Sequence, residues 1–254
     1  MQIRILGCSG GVSANLRTTS LLVDDDVLID AGTGVGDLSL EEMSHIKHVF
    51  LTHSHLDHIA SLPLLVDTIF DRIREPLQVH ARAETIAALQ QHIFNNVIWP
   101  DFSRLPSTSA PVMSFNVLAH NEHVILNGRD FEMIPVNHIV PGCGYRINSG
   151  HGVFVFSGDT SSNDSLWQAL NAGERLDVLM VEAAFANKDI DLCRRAGHYC
   201  PQLLAADLAK LEHEPDIYIS HTKPGEEQNI FVECQQAMPG RTLFLLNGKE
   251  TFTL

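Results

Sequence analysis

Short apolar runs broken by glycine, proline and acidic turns dominate the chain, and they read as strands. Residues 3–6 form the first run and end at Gly7-Cys8-Ser9-Gly10-Gly11. Residues 20–23 and 27–29 flank Asp24-Asp25-Asp26, the composition of a hairpin turn. Residues 48–51 form the next strand. From 59 to 73 the period lengthens, with Leu62, Leu65, Ile69 and Ile73 at helical spacing, so a helix is expected there. A strand over 77–80 and a helix over 83–94 follow. Further strands are expected over 114–118, 123–126, 130–135, 144–147, 153–156, 178–181, 217–219, 242–245 and 251–254, with helices near 165–171 and 201–211. Strands before and after interleaved helices fit two mixed sheets packed face to face with helices outside.

No internal repeat, long linker or low-complexity run divides the chain, so residues 1–254 read as one domain. Residues 96–112 are the least regular part, with Pro100, Pro106 and Pro111. They would be an insertion: a lid over a site, an aromatic wall carrying Trp99 and Phe102, or a dimer contact.

Composition narrows the field. The 254 residues are 44% hydrophobic, enough for a sizeable core, and the net charge of −14 argues against a binder of long phosphate backbones. A small anionic substrate stays open, because bound metal ions invert the local field. Five scattered cysteines form no CxxC pair, which suggests reduced thiols. No basic segment precedes an apolar leader, and no apolar run has membrane length. The expectation is a soluble cytoplasmic protein.

The chemistry concentrates directly after the apolar run Val49-Phe50-Leu51, in Thr52-His53-Ser54-His55-Leu56-Asp57-His58. A strand end opening into a tight turn can aim these imidazoles and the carboxylate at one point, as a divalent metal pair requires. Read without function, the cluster is a solvated polar loop. Three later residues weaken that alternative: His138, Asp159 and His221 each lie just beyond an apolar strand, where several strands can converge on one rim.

These residues make the chain resemble the metallo-β-lactamase superfamily. The matching elements are His53-Ser54-His55-Leu56-Asp57-His58 (the HxHxDH motif), His138, Ser157-Gly158-Asp159-Thr160 and His221, which span nearly the whole chain in the family's order. The resemblance implies an α/β fold, a four-layer αββα sandwich with a metal pair at its edge. His53, His55 and His138 would bind the first ion, Asp57, His58 and His221 the second, and Asp159 would bridge them, with a hydroxide held between. No cysteine stands at a ligand position, so the site is harder and less zinc-selective than a thiolate site; zinc is expected first, with manganese or iron open. Asp30 could orient a ligand imidazole or cap a turn.

Two subfamilies resemble the chain most. Leu6-Gly7-Cys8-Ser9-Gly10-Gly11-Val12 and Asn15-Leu16-Arg17-Thr18-Thr19-Ser20 are similar to stretches of tRNase Z and its phosphodiesterase relatives. So is Val181-Glu182-Ala183-Ala184-Phe185 followed by Gly197-His198-Tyr199-Cys200-Pro201. His-x-His-Leu-Asp-His, Gly197-His198 with Pro201, and Ser220-His221-x-Lys223-Pro224 are similar to class II cyclic-nucleotide phosphodiesterases. The resemblance implies that Asp57, Glu182 and His198 carry catalysis, with Glu182 orienting His198, and that His198 protonates the leaving oxygen or holds phosphoryl oxygens. Taken alone, Glu182 also reads as a buried acid at a strand end, and His198 as a residue just ahead of a helix start. Lys223 would contact a phosphate or be an ordinary surface lysine.

The leading expectation is a metal-dependent phosphodiesterase acting on a small nucleotide, a 3′,5′-cyclic one first, without long nucleic acid or membrane as partner and, by the resemblance, a homodimer. The alternatives are a tRNA 3′ processing endonuclease, a non-hydrolytic diiron oxygen or redox sensor, and, last, a thioesterase or lactonase of the same fold. Flavodiiron members place glutamate where this chain has His55, which favours hydrolysis.

Overall fold

The computed structural model describes residues 1–254. Its strands form two seven-stranded sheets. In space, the first runs Thr251–Thr253, Gln2–Gly7, Ser20–Val23, Val27–Ile29, His48–Phe50, Leu77–Ala81, Met113–Val117. The second runs Leu243–Leu245, Asp216–Ser220, Val178–Glu182, Val153–Phe156, Gly142–Asn148, Arg129–Val136, His123–Leu126. Each sheet is antiparallel at one end and parallel at the other.

Strand periodicity sorts the side chains into layers. Val27 and Ile29 point between the sheets, where they meet Phe131, Tyr145 and Phe154, while Leu28 points outward to the helix layer. Phe154 and Phe156 face the inter-sheet core, and Val153 and Val155 face the opposite helices. Both faces of these strands are covered, which is why they read as continuous apolar runs rather than as clean alternation. Leu62, Leu65, Ile86 and Leu89 cover the first sheet, and Trp167, Leu170, Leu204, Leu208 and Ile230 cover the second. The architecture is the expected αββα sandwich.

Two expectations need correction. The helix over 59–73 is three pieces, Leu56–Ile59, Leu62–Thr68 and the 3₁₀ turn Phe70–Arg72. Pro63 sits in the first turn of the middle piece, where a missing N–H costs nothing but a helix cannot run through. The aromatic side chains of 96–112 form no wall over a site. Phe102 is buried with Leu62 and Leu89 in the outer core, and Trp99 packs against the same cluster. Beyond them, residues 106–107 and 110–111 pair as a small hairpin. All five cysteines are free.

Candidate metal centre

The strand ends carry the site. His53, His55, Asp57 and His58 follow His48–Phe50; Asp159 follows Val153–Phe156; His221 follows Asp216–Ser220; and His138 follows Arg129–Val136. Two glycines make the approach possible. Gly158, at φ +62°, passes so close to the Cys143 carbonyl that a Cβ would sit 2.5 Å from it. Gly197, at φ +71°, ends the helix Ile190–Ala196, and a Cβ there would lie 2.9 Å from the Ile139 backbone nitrogen and 3.2 Å from His138 Nδ1.

The structure brings all seven sequence-predicted ligands together as two overlapping groups, His53, His55, His138 and Asp159, and Asp57, His58, Asp159 and His221. Asp159 is common to both. Its Oδ2 lies 3.3 Å from His58 Nε2, 3.2 Å from His221 Nε2 and 3.7 Å from His53 Nε2. Asp57 Oδ2 lies 3.8 Å from His58 Nε2 and 3.7 Å from His221 Nε2.

These side chains fit a pair of metal ions on a test independent of any motif. His53 Nε2 and His58 Nε2 are buried and have no hydrogen-bond partner. Buried polar atoms are as a rule satisfied, and two unpartnered imidazole nitrogens converging beside Asp159 set this cluster apart from the scattered unpartnered atoms elsewhere, such as Thr85 Oγ1 and Trp99 Nε1. The opposite ring nitrogens are tied down. His58 Nδ1 is 2.7 Å from Asp30 Oδ2, and His138 Nδ1 is 2.7 Å from the Gly197 carbonyl. Each Nδ1–H donates outward, which turns the lone pair of Nε2 inward, as a ligating imidazole requires. His138 Nε2 ends 3.1 Å from His55 Nδ1.

Asp30 and Thr52 form the frame behind the ligands. Asp30 is fully buried at φ +56° and accepts from the Thr52 N–H (2.8 Å) and the Thr52 hydroxyl (2.8 Å) as well as from His58. The Thr52 hydroxyl lies 3.0 Å from His53 Nδ1. Asp30 therefore both pins the turn and orients the His58 ring. Thr52 was missed at the sequence level; its position directly before His53 was the available signal. Missed too was the carbonyl of Gly197, since backbone acceptors leave no mark in side-chain chemistry.

Electrostatics follow from this packing. Burial pushes His53 well below its usual range, His138 down to about 4 and His221 down to about 3. Neutral imidazole is the ligating form. Burial alone would raise Asp159, but His221, His58 and His53 around it hold its carboxyl well below the usual carboxylate range. For His58, burial opposes the charge, yet Asp159 and Asp30 on either side win and hold it well above its usual range. A cation bound at His58 Nε2 would have to displace that proton.

Beside the ligands lies a second pair. His198 Nδ1 is 2.7 Å from Glu182 Oε1. The His198 ring centroid is 4.9 Å from that of His138 and 5.4 Å from that of His221. Glu182 is fully buried, and it accepts from the backbone N–H groups of Thr160 (2.8 Å), Ala184 (3.2 Å) and Tyr199 (3.2 Å). Burial raises Glu182 above its usual range. Burial works against charge on His198, but Glu182 outweighs it and holds the imidazole above its usual range. Lys223 is half-buried at this rim. Its Nζ donates to the Gly10 carbonyl (3.0 Å) and lies 5.6 Å from the centroid of Phe185, which in turn packs against His198.

The chain is similar to a described family and to several known proteins. The family model described as the beta-lactamase superfamily domain matches residues 25–221. A probable 3′,5′-cyclic-nucleotide phosphodiesterase of Yersinia pestis is 25% identical, over 92% of this chain and 83% of its own. A ribonuclease Z of Haloarcula marismortui is 23% identical, over 98% of this chain and 96% of its own. The crystal structure of unliganded yeast PDE1 superposes with a TM-score of 0.82 at 19% identity, covering 100% of this chain and 99% of that one.

Proposed function

The chain belongs to the beta-lactamase superfamily domain family, and from that premise we propose that its site hydrolyses a small nucleotide phosphodiester, a 3′,5′-cyclic nucleotide first, with two divalent metal ions as cofactors. His53, His55, His138 and Asp159 would hold one ion, and Asp57, His58, His221 and Asp159 the other, zinc first among the candidates. Bound there, the metals supply charge neutralisation of the phosphodiester and a water made acidic enough to attack near neutral pH.

The observation that carries the reading is the Glu182–His198 pair against the ligand histidines. A fully buried carboxylate with three backbone donors is held rigid, and it fixes His198 at Nδ1, leaving Nε2 for the substrate. An imidazole that keeps its proton more tightly than usual, 4.9 Å from a ligand ring, suits donation to a departing alkoxide. A phosphodiester needs that donation because its leaving oxygen is a poor one. Asp57, half-buried between His58 and His221, would place the attacking water. Lys223, tethered to Gly10, would face a phosphoryl oxygen or stay a structural contact.

A second reading, processing of RNA 3′ ends, has one specific support: the ribonuclease Z similarity runs over nearly the full length of both chains. The acidic balance of −14 favours the small substrate. The test is a panel of cyclic mononucleotides, cyclic dinucleotides and precursor tRNA with metal-loaded protein, run beside His198→Ala. The variant should keep its metals and lose about two to four decades in rate on poor leaving groups, with a smaller loss on bis(p-nitrophenyl) phosphate. An unchanged rate with a poor leaving group reduces His198 to a structural role, and turnover of precursor tRNA alone moves the function to the second reading.

A further inference from the structure

In a chain with 17 Lys and Arg against 31 Asp and Glu, a cation readily finds a carboxylate. Eleven do. The six without an ion pair are Lys47, Arg72, Arg74, Arg195, Lys223 and Lys249. Three of them, Lys47, Arg72 and Arg74, line one cavity of about 400 Å³ together with His48. Glu75 is the single carboxylate in its wall, and it makes no ion pair with any of the three. The floor is apolar, with Ile46, Ile69 and Leu77 buried.

Lys47, Arg72 and Arg74 are exposed, and three like charges around one cavity with no paired carboxylate make a locally positive patch. On a protein of net charge −14, that arrangement is stabilised when an anion enters. The arginine heads offer forked donors that match phosphate oxygens two at a time. His48 is pinned by its neighbour strand: its Nδ1 lies 3.0 Å from His80 Nε2, and with His80 Nε2–H as the donor the His48 proton sits on the free Nε2, where it can donate to an anion. His48 opens the strand whose far end leads to His53, so the cavity lies roughly 15 Å from the ligand cluster, at about 3.3 Å per strand residue.

We propose that this cavity is a second anion site, which takes a phosphate-bearing small molecule through Arg72, Arg74, Lys47 and His48. It is separate from the metal centre, so its occupant can be bound while the centre is loaded. The test is titration of the metal-loaded protein with inorganic phosphate, read by amide chemical shifts. Amides of residues 47–48 and 72–75 should shift saturably, with a midpoint below about 1 mM. In Arg72→Ala/Arg74→Ala that midpoint should rise about tenfold or more, while shifts around His53 and the turnover of bis(p-nitrophenyl) phosphate stay as in the parent protein. Lys47→Ala, on a different element, should weaken the same midpoint and serves if the double variant is unstable. Absence of saturable shifts at these amides, or equal midpoints in parent and variants, overturns the proposal.

Discussion

At the scale of single residues, the site is a set of histidines whose two ring nitrogens have different tasks. In His53 and His58 one nitrogen is tied to the frame, and the other is left facing an interior that offers no hydrogen-bond partner. Asp30 does the most of this framing for a residue that would touch no metal. It fixes the His58 tautomer directly and, through Thr52, the His53 ring. Asp30→Ala should therefore weaken metal binding by about 10- to 100-fold, measured by competition with a chromogenic chelator. Unchanged affinity would leave Asp30 as a turn residue only. The cluster His53, His55, Asp57 and His58 was legible in the sequence, because three imidazoles and an acid in six residues have no packing purpose. The orientation of Asp30 toward His58 was not, since residues 28 apart meet only once the parallel pairing of Val27–Ile29 with His48–Phe50 is known.

At the scale of elements, the strands were legible because burial on both faces leaves dense apolar runs with sharp ends. Val27–Ile29 and Val153–Phe156 are such cases. Helices were read less well. Glu227–Ala237 buries only Ile230 and Cys234 through most of its length, so its polar surface hides the apolar stripe. Leu40–His45 buries no residue at all and is held by a capping box between Ser39 and Glu42, a local signal that periodicity does not weigh. Ile190–Ala196 is short and buries Cys193, yet it matters to the site, because the left-handed turn that ends it delivers the Gly197 carbonyl to His138. The helix over 59–73 failed at Pro63, where apolar spacing continues across a boundary that backbone chemistry imposes. The strand ends converge on one edge of the sandwich, and this places residues from three other segments within reach of Asp159.

At the scale of the whole molecule, the two sheets must hold their relative position for those strand ends to meet. Several polar contacts join them, among them the Tyr145 hydroxyl to the Leu51 carbonyl, and the most charged is a clasp at Arg129. Arg129 binds Asp26 through both terminal guanidinium nitrogens, at 2.7 and 2.8 Å, and Asp24 at 2.8 Å, so a strand of the second sheet grips the hairpin turn of the first. Burial would raise Asp26, but Arg129 outweighs it and lowers its carboxyl below the usual range. A depressed carboxylate contributes stability that is present above its unfolded value, about 3.9, and is lost as pH falls through its folded value. Arg129→Ala should cost about 3 kcal/mol near neutral pH and should flatten the loss of stability below about pH 4, as measured by urea unfolding across the acid range. A parallel acid decline in parent and variant would remove the clasp from the account.

The whole depends on seven dispersed side chains closing on two cations that share Asp159. The most direct measurement is anomalous diffraction from crystals soaked in zinc or manganese. The account predicts two peaks per chain, one among His53, His55 and His138 and one among Asp57, His58 and His221, with the Asp159 carboxylate between them. A single peak, or none within reach of Asp159, would contradict it.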